Sequence, residues 1–207
     1  MYLPQMFAVT AASEIDAVLQ TAGLGCLVTH DDEGFFGTHL PMVFDAERRV
    51  LAGHISRANP HPRRAGDRDA MVIFQGLNAY VSPTWYPSKD EHGKVVPTWN
   101  YEAAHVTGRL SWRDDPTWLR EHLTRLTARF ESAQPRPWTP SDAPEAYLQA
   151  QMAGVIGVEV AVREVRVKRK FSQNRSPADR QGVIAGLRDS PAAMDQAVAA
   201  AMLRDGE

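Results

Sequence analysis

The chain has 207 residues, 43% of them hydrophobic, enough to bury a core without disulfides or metal staples. A formal net charge of -2 gives no global attraction to nucleic acid or anionic lipid, so any anion site must be local. The single cysteine, Cys26, excludes an internal disulfide, is expected as a buried thiol and fits a reducing compartment. No run approaches the ~20 apolar residues of a membrane span, and the N-terminus lacks a signal-peptide pattern. A cytoplasmic protein with no membrane partner is therefore expected.

In chain order, Ser13 followed by Ile15, Val18, Leu19 and Ala22 predicts a capped amphipathic helix closed by Gly23. Short β-rich runs follow, separated by turn signals: CLVTH, FFGTHLPMVF, VLAGHI, AMVIFQG and AYVSPTWY. Their spacing with few intervening helices points to an antiparallel sheet or small barrel rather than βαβ units. The stretch PTWYPSKDEHGKVVPTWNY, residues 83–101, carries the tripeptide PTW twice. Its centre SKDEHG is expected as a hairpin tip, with prolines that keep its arms from being central strands throughout. Asp115 and Pro116 form an N-cap and N1 pair ahead of Trp118, Leu119, His122, Leu123, Leu126 and Phe130 at helical spacing. A Pro-rich irregular segment and the short helix EAYLQAQM lead to VIGVEVAVREVRVKRKF, the strongest strand pattern in the chain. The phase of that strand slips from even to odd positions, which predicts a bulge or turn near Arg163 and Glu164. Two terminal helices are joined by a start signal at Ser190 and Pro191, and the second bears an apolar stripe of Met194, Ala197, Val198, Ala201 and Met202 that calls for a covering surface, a partner chain being the expectation.

Three features could carry chemistry. In GHISRANPHPRR a strand end delivers Ser56, Arg57 and Asn59 just before a short helix and near Arg63 and Arg64, the donor set a phosphate ester needs; a solvated turn is the alternative. Trp85, Tyr86, Trp99 and Tyr101, with Lys89 and Lys94 near the tip, suit a stacked heterocycle, a subunit interface or core packing. His39, His54 and His105 stand in or beside strands, with no HxH or HxxxH pair, so no preformed metal site is expected. Walker, GxGxxG and GxSxG signatures are missing from the sequence.

The strings HLPMVF, GHISRANPH, VIFQGLNAYVSPTWYPSK, GKVVPTWNYEAAHVTG and KFSQNRSPADRQGV, spread over most of residues 1–187, resemble the PaiB-type family of FMN-binding negative transcriptional regulators. The resemblance implies a mainly β, α+β fold: an antiparallel split β-barrel with flanking helices, occupying residues 1–175, and a C-terminal helical extension, 176–207. It further implies a homodimer holding FMN in clefts between subunits. On this resemblance Thr38 and His39 lie against the flavin, and Ser56, Arg57 and Asn59 hold its phosphate. Lys89, Trp99 and Gln173 close the site, some of them from the partner chain. A DNA partner is implied by the family's name alone, since residues 191–203 contain no Lys or Arg, and the basic run 165–170 reads as a solvated strand end. A flavin-dependent oxidoreductase of reductase or oxidase type is the alternative function, and a haem-binding split barrel the third.

Overall fold

The structure is a computed structural model and describes residues 1–204; residues 205–207, the end of the expected helical extension, lie outside the described residues. Seven strands are antiparallel where their register is given: β1 (Ala8–Val9), β2 (Leu24–Asp31), β3 (Gly34–Asp45), β4 (Val50–Ser56), β5 (Asp69–Val81), β6 (Thr98–Arg113) and β7 (Val155–Lys170). Their order is β1-β7-β4-β3-β2-β5-β6, and β6 also pairs with β7, so the order closes on itself as a barrel requires. Helices are α1 (Ala12–Thr21), α2 (His61–Ala65), α3 (Ser88–His92), α4 (Pro116–Glu131), α5 (Glu145–Ala153), α6 (Pro177–Arg188) and α7 (Ala193–Arg204). Among the described residues no helix is long and apolar enough to cross a membrane.

The chain divides into two compact units. One gathers residues 1–14, 75–104 and 166–207; the other gathers 15–74 and 105–165. In the second unit, alternation in β2 puts Leu27 and Thr29 inside, and β3 and β4 contribute Leu40, Met42, Leu51 and Ile55. Helix α4 starts where the sequence predicts, with Asp115 Oδ1 accepting from Thr117 N at 2.9 Å, and buries Leu119, His122 and Leu126. Cys26 is half-buried rather than fully buried, because it sits on the β2 face opposite Leu27.

In the first unit the terminal helices share a core with Val81, Tyr86 and Phe171, burying Val183, Ile184, Leu187, Val198 and Met202. The α7 stripe is thus largely covered within the chain, not by a partner, although Met194 stays 47% exposed. Two expectations for residues 79–93 change. β5 ends at Val81, and the first PTW is a 3₁₀ turn, Pro83–Trp85, capped by the Ser82 hydroxyl. SKDEH is a short helix rather than a hairpin tip, because Asp179 of α6 accepts from both Ser88 N (3.1 Å) and Ser88 Oγ (2.9 Å), while Gly93, at φ 66°, closes its end. The 3₁₀ turn seats on α6 at Gly182 and Gly186, where added Cβ atoms would stand 2.0 Å from the Trp85 carbonyl oxygen and 2.4 Å from its ring.

β7 runs on through Arg163 and Glu164 without a turn, its buried positions moving from Val158 and Val160 to Val167. Its basic end is not solvated throughout. Lys168 is 7% exposed among the rings of Tyr2, Phe7 and Tyr101; Arg169 donates to Glu102 and Glu14; Lys170 donates to Thr98 Oγ1.

Candidate functional site

Pairing of β4 with β7 brings Ser56 opposite Val155, so the end of β4 meets the junction of α5 and β7. Arg57 N donates to Gly154 O at 2.9 Å, fixing that meeting point. The space between this junction and the middle of β3 is a cavity of about 590 Å³ in the second unit, within the range of small-molecule sites. Thr38, His39, Ser56 and Asn59 line it, together with His54, Gln151 and the apolar Leu40, Pro41, Ile55 and Val155. Four of the eight residues expected around a flavin are thereby brought together.

The turn from β4 to α2 is held by its own side chains. Ser56 Oγ accepts from Ala58 N at 3.3 Å, and Asn59 Oδ1 accepts from His61 N at 2.9 Å. Asn59 Nδ2 donates to Thr38 Oγ1 at 3.3 Å. Thr38 Oγ1 also lies 2.8 Å from His61 Nδ1, and Thr29 Oγ1 lies 2.9 Å from His61 Nε2. His61 is completely buried, and burial, reinforced by the nearby Arg64 guanidinium, pushes it down to about 4. It is therefore neutral at pH 7, with one ring nitrogen donating and the other accepting, and two hydroxyls can satisfy both. This histidine was not picked out from the sequence. Its signal was its place two residues after Asn59, where an Asx turn requires a following backbone N–H.

Arg57 stands beside the cavity with its guanidinium engaged elsewhere. Nη1 and Nη2 make a bidentate pair with Asp114 (2.8 and 2.6 Å), while Nε and Nη2 donate to the carbonyls of Ala153 (3.0 Å) and Val155 (2.9 Å). The hydrogen bonds with Asp114 raise the guanidinium's already high pKa and lower that of the carboxyl. Arg64 is likewise committed, gripping Asp31 through two 2.8 Å bonds that bring its carboxyl down to about 2. Arg63 is exposed. Lys89, Trp99 and Gln173 belong to the other unit. There Lys89 is exposed on α3, Trp99 is 54% exposed and meets Tyr80 edge to face at 6.2 Å, and the Gln173 amide bonds the backbone of Phe171 (2.7 Å) and Arg169 (2.8 Å).

Behind His54 lies a column of rings. His54 Nδ1 is 3.2 Å from His122 Nε2, and His122 stacks on Trp118 at 5.0 Å and 14°. Trp118 Nε1 donates to Glu159 Oε1 at 3.1 Å, and Glu159 also accepts from Arg113 Nε (2.6 Å) and Arg48 (3.1 Å). Burial opposes the charge on Glu159, but these donors and cations outweigh it and hold the carboxyl below its usual range. Gly157 makes room for the Trp118 ring, since a Cβ there would stand 2.2 Å from it. Burial lowers His54, and burial together with His54 and Arg125 brings His122 down to about 3. Both are neutral at pH 7. His122 could be found in the sequence only as a histidine on the apolar stripe of a helix.

An FMN molecule needs neutral donors and acceptors for its ring edges, an apolar wall for the isoalloxazine and donors for its phosphate. The hydroxyls of Thr38 and Ser56, the amides of Asn59 and Gln151, and the Leu40, Pro41, Ile55 and Val155 surfaces meet those needs in kind. Among solved structures the chain is similar to the FAD and heme binding protein from Mycobacterium smegmatis, with TM-score 0.58, 20% identity, and 86% of this chain and 80% of that one covered. It is also similar to the flavocytochrome Anf3 from Azotobacter vinelandii, with TM-score 0.58, 13% identity, and 79% and 69% covered. At these identities the likeness is one of fold. In sequence the chain is 32% identical over 192 residues to the protease synthase and sporulation protein PAI 2 of Bacillus subtilis, covering 91% of this chain and 90% of that protein. The family described as "Putative FMN-binding domain" matches residues 1–164, and with a split-barrel strand order and a relative aligned along nearly its whole length, the chain belongs to that FMN-binding family.

Proposed function

We propose that the 590 Å³ cavity between β3, the β4–α2 turn and the α5–β7 junction is the FMN site, and that the protein acts as a flavin-dependent regulator. One observation carries the reading: Thr38 and His39, expected against the flavin, line the same cavity as Ser56 and Asn59, expected at its phosphate. Bound there, FMN supplies one- or two-electron redox chemistry. The chain's own part is to bind and orient. Ser56 and Asn59 offer a hydroxyl and an amide at the strand-to-helix turn, Thr38 presents its hydroxyl from β3, and His39 reaches the cavity from the exposed face of the same strand. Arg57 contributes by pinning Ala153 and Val155, so that the wall containing Gly154 keeps its place. Lys89, Trp99 and Gln173 serve as closing residues of the site from a second copy of the chain. A homodimer is supported by the exposed apolar side chains of Tyr80, Val96 and Trp99, which a monomer would leave in water. Regulation through a protein partner or a redox signal fits better than a DNA grip by residues 165–170, because Lys168 and Lys170 are engaged inside their own unit.

The test is the absorbance spectrum of purified protein mixed with FMN and desalted, read with Ser56→Ala, Asn59→Ala and Asp114→Asn alongside. Wild type keeps two flavin bands, and the first two variants lose them. Asp114→Asn loosens retention if Arg57 works as a clamp, and leaves it unchanged if Arg57 grips the phosphate itself. Release of all FMN by wild type would overturn the reading. Sedimentation of only a 23.0 kDa species would remove the dimer.

A further inference from the structure

The other end of the β3–β4 ladder carries a second cavity, of about 380 Å³, also within the second unit. Asp45 pairs in register with Val50 and Val43 with Ala52, and these strands give it an apolar floor that includes Phe44. Its walls hold three guanidinium groups, from Arg48 at the end of the β3–β4 turn and from Arg125 and Arg129 of α4. The carboxylates present do not balance them. Asp45 is shared at the rim by Arg48 (3.9 Å) and Arg125 (3.5 Å), and Glu159, which also meets Arg48, is held by Arg113.

Arg129 is the unbalanced charge. Among the described residues its side chain donates only to backbone carbonyls, to Met42 O at 3.2 Å and to Ala22 O, and its guanidinium lies 5.0 Å over the Phe130 ring. Among the described residues no carboxylate is within ion-pair distance of it. Burial lowers its pKa, the signature of a cation taken from water without a counter-charge. A half-buried guanidinium fork beside a second, exposed one, above an apolar floor, matches a carboxylate that has an apolar body. Such a ligand is held bidentately by arginine and loses hydrophobic surface to Val43, Phe44, Val50 and Ala52.

We propose that this cavity binds a small organic carboxylate with an apolar body, independently of the FMN cavity. Arg129 and Arg125 take its carboxylate. The Asp45 carboxylate at the rim orients Arg48 and Arg125 and disfavours di-anions such as phosphate.

The test is isothermal titration of benzoate into the full-length protein, with benzamide as the neutral isostere, acetate as the anion without a body, and inorganic phosphate. Each titration is run with and without saturating FMN. Benzoate is expected to bind in both conditions, with benzamide and acetate each weaker by tenfold or more. Arg129→Gln and Arg125→Gln are each expected to weaken benzoate by tenfold or more while leaving FMN retention unchanged. Among the described residues the Arg125 side chain makes no bond to the backbone, so that variant tests the site even if loss of the two carbonyl bonds destabilises Arg129→Gln. No heat from benzoate up to about 10 mM would overturn the proposal. So would binding equalled by phosphate, displaced by FMN, or unchanged in the Arg125 variant. Because FMN retention is read separately, failure here leaves the flavin reading standing, and failure of FMN binding leaves this site testable.

Discussion

Lowering the pH from 7 to 5 should destabilise this protein through two histidines before its carboxylates begin to titrate. His61 and His122 are both 0% exposed, with pKa values of about 4 and about 3 against an ordinary value of 6.5. A base whose folded pKa is depressed takes up its proton first in the unfolded chain, so its contribution is intact above pH 6.5 and is lost as the pH falls toward the folded value. At pH 5 the unfolded state gains about 2 kcal/mol from each of the two histidines, so roughly 4 kcal/mol should vanish between pH 7 and pH 5, with His54, also lowered by burial, adding in the same direction. That is a large share of the ~5–15 kcal/mol typical of a domain. Guanidinium denaturation at pH 7, 6 and 5 without added ligand measures it. His122→Phe keeps a ring against Trp118 and should lose about 2 kcal/mol of the pH dependence. Any overpacking by the larger ring shifts all pH values alike and leaves the slope readable. A wild type whose stability changes by less than about 1 kcal/mol over this range, or a variant with the full slope, would refute the assignment of neutral buried imidazoles.

Thr38→Val should cost about 1–3 kcal/mol in the same assay, because His61 Nδ1 and the Asn59 amide lose their partner, whereas Thr38→Ser should stay within about 1 kcal/mol of wild type. Equal stability of the valine variant would mean that the hydroxyl is not paired to the ring. Gly182→Ala opposes two effects: helix propensity favours alanine by about 1 kcal/mol, but the Cβ meets the Trp85 carbonyl, and a net loss of about 2 kcal/mol or more is expected in thermal or chemical unfolding. Arg57→Ala should lose FMN retention and Arg57→Lys should not restore it, since an ammonium cannot serve Asp114 bidentately and the Ala153 and Val155 carbonyls together. Full rescue in the desalting assay would show that charge alone matters there.

Local chemistry was the legible part of this sequence. Asp115 and Pro116 announced α4 because an N-cap and its first turn are neighbours in the chain, and the alternation of CLVTH and VIGVEV announced strands for the same reason. The family resemblance led to Thr38, His39, Ser56 and Asn59, which share one cavity although they come from β3, the end of β4 and the turn after it. What escaped was decided by distant partners. SKDEHG has the composition of a turn and becomes helical under Asp179, some ninety residues later in the chain. The VRVKRK end looks solvated until Tyr2, Phe7 and Tyr101 enclose Lys168. Arg57 reads as a free cation until Asp114 is brought beside it. His61 and His122 sit among residues whose spacing describes helix and turn, and nothing local states that a hydroxyl or a second imidazole will meet them.

The two units also differ in when synthesis supplies their parts. Every residue of the unit that holds both cavities has been made by residue 165. The other unit waits for the last helices, because Val81, Tyr86 and the Trp85 turn find their covering surface only in α6 and α7. Until residues 177–204 leave the ribosome, those apolar side chains lack the two helices that cover them. A chain stalled before α6 would therefore carry a completed unit with both cavities and an exposed sticky one, which makes α6 and α7 the point where chaperone dependence and degradation of this protein should concentrate.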